Sequence, residues 1–340
     1  MNIGNVNLET RPLVIAEIGA NHEGDLDVAK TMIREAARAG ADAVKFQTYT
    51  ADKIVARTEP ARFAHFQKLA LPETAYAELA DEARSADVMF LSTPFDLEAV
   101  DLLDPLVPAF KVASGDLTFV QLLERVAGTG KPILLSTGMA SIDEIDDALT
   151  VIQRATKLTR SDLAQRVVLL HCVSSYPTAP TDANLLIIPS LRDRFGVPVG
   201  YSDHTLGILG CTVAVALGAC VVEKHFTLQK EGRTLRDHQL SADPNDLEAL
   251  VASVTAVSTM LGTGDKSLPA CERENLTGAR RSVSARVDIK AGRVITAEQL
   301  TCLRPGGGLP PASLPAVVGK TSAVEIHAGH QIPVSVLSSS

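Results

Sequence analysis

The stretches VPVGYSDHTLG (197–207) and ACVVEKHFTL (219–228) decide how the rest of the chain reads. Each is an apolar, β-branched run of the kind a strand buried on both faces requires. Each stops on polar residues that include a histidine, His204 in the first and His225 in the second. The same texture recurs at 13–19 (LVIAEIG), 43–48 (AVKFQT), 88–94 (VMFLSTP), 109–114 (AFKVAS), 132–137 (PILLST) and 167–172 (VVLLHC), giving eight strand candidates. Amphipathic segments lie between them. Residues 26–40 put Val28, Met32 and Ala36 on one face, with Gly40 as the residue after the cap, and 141–155 opens with a Ser-x-x-Glu capping box. Eight β/α units predict an α/β fold, a closed (β/α)8 TIM barrel over residues 1–262. A doubly wound open sheet is the alternative, but no GxGxxG follows the first strand.

After the helical pattern at 244–262, residues 263–281 lose periodicity and read as a linker. From Ser282 onward SVSARVDIKAGRVIT and AVEIHAGHQIPVSVL repeat one pattern, a short β-rich run followed by KAG or HAG. Residues 282–340 therefore read as a small, mostly-β domain, too small to be comfortably self-sufficient. Hydrophobic residues at 46% supply a core, and a net charge of −8 argues against a general nucleic-acid or anionic-membrane surface. No apolar run approaches the ~20 residues of a membrane span, and MNIGNVNLETRP has no signal-peptide core. Five cysteines, never spaced as CxxC, read as reduced thiols. The expectation is a soluble cytoplasmic protein with no nucleic-acid and no membrane partner.

In a barrel, chemistry collects at the C-terminal ends of the strands. Read in order, those ends carry Glu17, Asn21 and His22; Lys45 and Gln47; Ser92 and Thr93; Lys111, Ser114 and Asp116; then Ser136 and Thr137. The last three carry His171, Ser174 and Tyr176; Ser202, Asp203 and His204; and Glu223 with His225. Loops are polar anyway, but that does not account for nearly every end bearing a group suited to anions, protons or metals. His171 reads as a hydrogen-bonded structural histidine. His204 and His225, on neighbouring strands, read as two neutral imidazole ligands, a donor set suited to Mn²⁺, Zn²⁺, Fe²⁺ or Co²⁺ more than to hard Mg²⁺. Lys45 and Lys111 end apolar strands, where an unpaired ammonium would cost several kcal/mol, roughly, or lose its proton. An anionic ligand is the expected partner, cradled with the hydroxyls of Thr93, Ser114, Ser136 and Ser202. A Schiff-base lysine is the alternative chemistry.

Together AEIGANHEGDL (16–26), GADAVKFQT (40–48), FLSTPFD (90–96), FKVASGD (110–116), LSTGM (135–139), LHCVSSYPT (170–178), GYSDHT (200–205) and EKHFTL (223–228) resemble the sialic acid synthase family. These are the phosphoenolpyruvate-dependent nonulosonate synthases. The tail RRSVSARVDIKAG … RPGGGLPP (280–311) resembles their C-terminal SAF (antifreeze-like) domain. The resemblance implies a divalent metal on His204 and His225, Mn²⁺ first, with Co²⁺ or Mg²⁺ as alternatives. It implies phosphoenolpyruvate on Lys45, Thr93, Lys111, Ser114, Ser136 and Ser202, with Asn21, Gln47, Ser174 and Tyr176 completing the substrate site. Glu17, Asp116 and Asp237 join the lysines as catalytic groups. It also implies a domain-swapped homodimer in which Arg304 reaches the sugar's N-acetyl group in the partner's barrel.

The implied reaction is that of an N-acetylneuraminate synthase: metal-dependent condensation of phosphoenolpyruvate with N-acetylmannosamine, releasing phosphate. The alternative sugar is 2,4-diacetamido-2,4,6-trideoxymannose, giving legionaminic acid, and pseudaminic acid synthesis ranks third. Three departures bear on the sugar: EGRTLRDHQLS (231–241) where many members read Gly-Pro-Asp-His, Asp116 in place of Glu, and Ser174 in place of Asn. A non-catalytic sugar-binding protein is suggested by the tail alone. The strand-end lysines and histidines argue against it.

Overall fold

The computed structural model describes residues 1–233 and 235–337. A two-stranded hairpin, β1 (Asn2–Ile3) and β2 (Val6–Asn7), precedes eight parallel strands. These are β3 (Leu13–Gly19), β4 (Ala43–Thr48), β5 (Met89–Pro94), β6 (Phe110–Val112), β7 (Ile133–Ser136), β8 (Val167–His171), β9 (Val199–Asp203) and β10 (Val221–His225). Their order, β5-β4-β3-β10-β9-β8-β7-β6, is that of a barrel in which the first strand pairs the last. β5 and β6 lie side by side at the seam without a ladder between them. The α/β barrel is therefore a nearly closed one.

Local chemistry sets the helix ends. Asp25 caps Leu26–Arg38 by accepting from the backbone of Asp27 and Val28, and Gly40 follows at φ +88°. Ser141 and Glu144 form the expected capping box on Ile142–Thr156.

Alternation along the strands sorts side chains into two sets. Val14, Ala16 and Ile18 face the helices in the main core, whereas Leu13 and Ile15 join Ala43, Leu91, Ala109, Leu134, Val168, Leu170 and Val221 in a second cluster inside the barrel. The hairpin contributes Met1, Ile3 and Val6 to that inner cluster, closing the barrel floor with apolar groups. Gly200 is required here, since a Cβ would lie 2.6 Å from the carbonyl of Val221 and from the Leu170 side chain.

The chain divides into two units, Met1–Gly262 and Thr263–Ser340. In the second, β11 (Ser282–Ala285) pairs antiparallel with β12 (Leu300–Leu303) over a core that includes Val283, Ile289, Ile295, Leu300, Ile326 and Ile332. The KAG and HAG turns are related: Ile289 and Ile326, each just before its turn, bridge one another, and Gly292 and Gly329 both have positive φ. Residues 263–281 depart from the linker reading. They carry the helices Ala270–Arg273 and Asn275–Ala279 and group with the second unit, where the carbonyl of Thr277 accepts from Gly306 N–H. Helices this short leave no periodicity in the sequence.

Candidate active site

Above the apolar floor the next inward-facing residues are polar, and strand register sets their neighbours. Glu17 is opposite Lys45, Gln47 is opposite Thr93, and Ser202 is opposite Glu223. These residues, with Lys111, Ser114, Ser136, Ser174, Tyr176, His204, His225 and Asp237, line one cavity of about 340 Å³ at the C-terminal end of the barrel. That position is where a barrel presents its functional groups.

Two lysines and two carboxylates, joined by three ion pairs, form the cavity floor. Lys45 Nζ lies 2.6 Å from Glu17 Oε2 and 3.7 Å from Glu223 Oε2, and it donates to Thr93 Oγ1 at 3.1 Å. Lys111 Nζ donates to Glu223 Oε1 and Oε2 at 2.9 and 3.2 Å, and Ser202 Oγ donates to Oε1 at 2.9 Å. Gln47 Nε2 donates to Glu17 Oε1 at 3.1 Å. The expectation that a bound anion alone relieves the buried lysines is thus corrected: two buried carboxylates are resident counter-ions. Burial would raise the Glu223 carboxyl, but Lys111 and Lys45 outweigh it and hold the pKa down at about 2. Glu17 moves the other way, because burial and the charge on Glu223 exceed the pull of Lys45. Burial lowers Lys111, reinforced by Lys45. Lys45 is itself raised, because Glu17 and Glu223 overcome its desolvation.

Unused hydrogen-bonding capacity points into the same space. Ser136 Oγ is buried and has no partner among the described residues. Gly138 N–H donates to Ser114 Oγ at 3.0 Å, and a Cβ on Gly138 would sit 2.5 Å from Ser174 Oγ and 2.8 Å from Ser114 Oγ. Only glycine lets the three groups converge.

The histidines stand above this floor. His204 and His225 have ring centroids 5.4 Å apart, and the Tyr176 ring packs 4.1 Å from His204 and 5.9 Å from His225. His204 Nδ1 is 2.7 Å from the carbonyl of Val173, so Nδ1 carries the proton and Nε2 keeps its lone pair. Among the described residues His225 Nδ1, buried, has no hydrogen-bond partner; it lies 3.9 Å from Asp237 Oδ2. Burial lowers both pKa values, so both rings are neutral at pH 7. Neutral imidazoles with free lone pairs fit a divalent transition metal. Among the described residues no three His, Cys, Asp or Glu side chains converge as a complete ligand set, so substrate or water would fill the rest of the shell.

Two residues singled out in the sequence, Asn21 and Asp116, do not line this cavity. Asn21 does not line the cavity; its Nδ2 donates to the carbonyl of Phe226 at 2.8 Å and to Ser241 Oγ at 3.0 Å, tying the loop after β3 to the segment after β10. Asp116 ends the turn Ser114–Asp116 outside the cavity wall, where burial raises its pKa to about 6. Arg304 belongs to the second unit and is exposed there. His171 is the hydrogen-bonded structural residue expected, 2.8 Å from the carbonyl of Ala183. Glu223, which the sequence offers only as a strand-end neighbour of His225, is the counter-ion that both lysines share. Its signal was alternation: it lies two residues before His225 and so must share the inward face. Arg236, stacked 4.9 Å from the Tyr176 ring centroid, gave no such signal, because it sits in an irregular loop.

Comparison with known proteins identifies the family of the chain. Residues 32–266 match the NeuB family and residues 280–335 match the SAF domain. An uncharacterized protein of Methanocaldococcus jannaschii is 46% identical over 87% of this chain and 86% of its own length. The N,N'-diacetyllegionaminic acid synthase of Legionella pneumophila is 40% identical over 93% of this chain and 92% of its own. The crystal structure of the N-acetylneuraminic acid synthetase of Leptospira borgpetersenii, in complex with citrate, superposes with a TM-score of 0.75 at 34% identity, covering 81% of this chain and 94% of that one. The chain belongs to the NeuB family, whose synthases are phosphoenolpyruvate-dependent condensing transferases, and it carries a SAF domain after its barrel.

Proposed function

We propose that this enzyme condenses phosphoenolpyruvate with an N-acylated aminosugar of the mannosamine type to give a nonulosonic acid and inorganic phosphate. The observation that carries this reading is the cavity itself: two buried lysines, an unpartnered Ser136 hydroxyl and two neutral histidines share one wall-to-wall space. N-acetylmannosamine and 2,4-diacetamido-2,4,6-trideoxymannose are the two sugars that the Leptospira and Legionella relatives support, respectively.

In this reading Lys45 and Lys111 turn their remaining donors to the phosphate and carboxylate of phosphoenolpyruvate, with Thr93, Ser114, Ser136 and Ser202 taking further oxygens. His204 and His225 would hold a divalent ion, Mn²⁺ first, which would supply Lewis acidity and a template for the sugar aldehyde. Phosphoenolpyruvate C3 bonds to the aldehyde carbon, whose oxygen takes a proton. Water then adds at C2, and the C2–O bond to phosphate breaks, leaving a 2-keto-3-deoxy acid and inorganic phosphate. In this reading Glu17 and Asp237 bind sugar hydroxyls or relay protons, and the lysine–carboxylate floor is already oriented when charge redistributes. We place the enzyme in the cytoplasm as a homodimer; its five cysteines are free, and among the described residues no helix is long and apolar enough to cross a membrane.

The test is phosphate release from phosphoenolpyruvate with each sugar, with Mn²⁺ and with chelator. Metal-dependent release with either sugar supports the reading, and no release with both sugars and every divalent ion overturns it.

A further inference from the structure

A second cavity, of about 550 Å³, opens beside the first and shares Gln47, Arg236 and Asp237 with it. Its apolar wall is Tyr49, Phe66 and Leu69, from the end of β4 and the helix Pro60–Leu69. Tyr49 and Leu69 are buried and Phe66 is half-buried. The Tyr49 ring meets Phe66 edge-on at 5.2 Å and Phe95, a wall of the first cavity, at 5.9 Å, so one aromatic surface runs between the two spaces. Gly24 seats this helix: it has φ +85°, and a Cβ there would lie 2.7 Å from the carbonyl oxygen of Lys68. The polar groups have different settings. Glu23 is engaged by His238 Nε2 at 3.0 Å and lies 3.7 Å from Arg233, while His65, Lys68 and Arg236 are exposed at the rim.

We infer that this annex is the specificity subsite for the distal half of the sugar, and that it takes an acylated, deoxygenated end: the 4-acetamido and 6-methyl groups of a 2,4-diacetamido-2,4,6-trideoxyhexose. The inference rests on the condensation proposed above. The sugar aldehyde must meet phosphoenolpyruvate near His204 and His225, so its chain runs outward past Gln47 and Asp237, and its last carbons enter the annex. There the wall offers methyl and acetyl groups apolar contact, while the basic groups His65, Lys68 and Arg236 stand at the exposed rim, where water and salt screen them. Filling or losing such contacts in an apolar pocket is worth about 10–200-fold in kcat/KM.

The experiment is steady-state kinetics of the full-length enzyme at saturating phosphoenolpyruvate and Mn²⁺. N-acetylmannosamine, its 6-phosphate and 2,4-diacetamido-2,4,6-trideoxymannose are compared for the wild type, Phe66→Ala and Phe66→Leu. The wild type should prefer the diacetamido sugar by about tenfold or more. Phe66→Ala should raise KM for that sugar about tenfold more than for N-acetylmannosamine, and Phe66→Leu should restore most of the difference. The KM for phosphoenolpyruvate reports whether each variant keeps its barrel. Preference for N-acetylmannosamine or its 6-phosphate, or an equal effect of Phe66→Ala on both unphosphorylated sugars, overturns the annex while the condensation stands. Failure of every sugar to release phosphate in the wild type removes the condensation, and the annex with it.

Discussion

Lys111 and Glu223 meet across the inside of the barrel, from strands β6 and β10 that are not neighbours in the sheet, with Nζ 2.9 and 3.2 Å from the two carboxylate oxygens. Both side chains are 5% exposed, so each is the other's main compensation for lost water. Replacing Glu223 with Gln leaves Lys111 and Lys45 with Glu17 as their one close carboxylate. We expect a loss of about 3–5 kcal/mol, the usual consequence of removing one partner of a buried pair. Phosphoenolpyruvate, bringing negative charge to the same place, should then raise the Tm of Glu223→Gln more than that of the wild type. Thermal melts with and without phosphoenolpyruvate measure this, and equal ligand-induced shifts would refute it.

This pair also marks where the sequence stopped being readable. The strands and their order were legible because each buried strand is a short apolar run between helical patterns, and Lys45, Lys111, His204 and His225 stood out as polar ends on those runs. Charge balance inside the barrel was not legible. Glu223 and Lys111 are far apart in sequence, and only closure of the barrel brings them within hydrogen-bond reach. Asn21 illustrates the converse: a polar residue at a strand end satisfied the sequence pattern, yet its amide holds two loops together. The annex leaves no mark in the sequence for a third reason: Tyr49, Phe66 and Leu69 are apolar residues of the kind any core uses, and only the fold sets a cavity beside them.

The two histidines are expected to act as a pair toward metal. With Nδ1 of His204 committed to the Val173 carbonyl, Nε2 is the nitrogen free to bind. His204→Ala and His225→Ala should each weaken Mn²⁺ binding, read by calorimetry on the full chain, by about 100-fold or more while the circular dichroism spectrum is kept. Wild-type affinity in both variants would exclude this site.

Behind the histidines, on the outward face of the same strands, Lys224 Nζ lies 3.1 Å from Asp203 Oδ2 and donates to the Thr205 carbonyl at 2.5 Å. Asp203 Oδ1 also accepts from Tyr201 OH at 3.1 Å and from the Thr205 backbone at 2.8 Å. Lys224→Met strands a fully buried carboxylate and should cost about 3–5 kcal/mol. Adding Asp203→Asn should return part of that loss, because the uncompensated charge is gone. Urea unfolding of the two variants decides it; a double mutant less stable than the single would contradict the pairing.

Asp116 gives a pH signature. Its Oδ2 is buried without a partner among the described residues, and burial raises the carboxyl to about 6. The unfolded carboxyl releases its proton near pH ~4, so between the two values the folded state binds more protons and stability falls as pH rises. Asp116→Asn keeps the shape without the charge. Its Tm should equal that of the wild type near the lower pH and exceed it increasingly up to about pH 6, with the full difference retained above. A difference independent of pH would show that desolvation of this carboxylate is not what separates the two proteins.

The proposed dimer makes a prediction that neither subunit alone can fulfil. If Arg304 of one protomer completes the sugar site in its partner's barrel, Arg304→Ala and His225→Ala impair different components of a shared site. Each variant alone carries a defect at every site. In a co-expressed mixture, the barrel of the Arg304→Ala protomer keeps His225 and receives an intact Arg304 from the other chain. Random pairing makes about half the dimers mixed and leaves one intact site in each, so roughly a quarter of all sites regain full activity. Arg304→Ala should meanwhile raise the sugar KM more than the phosphoenolpyruvate KM. Activity of the mixture that never exceeds the average of the two variants would mean that Arg304 serves its own barrel or none.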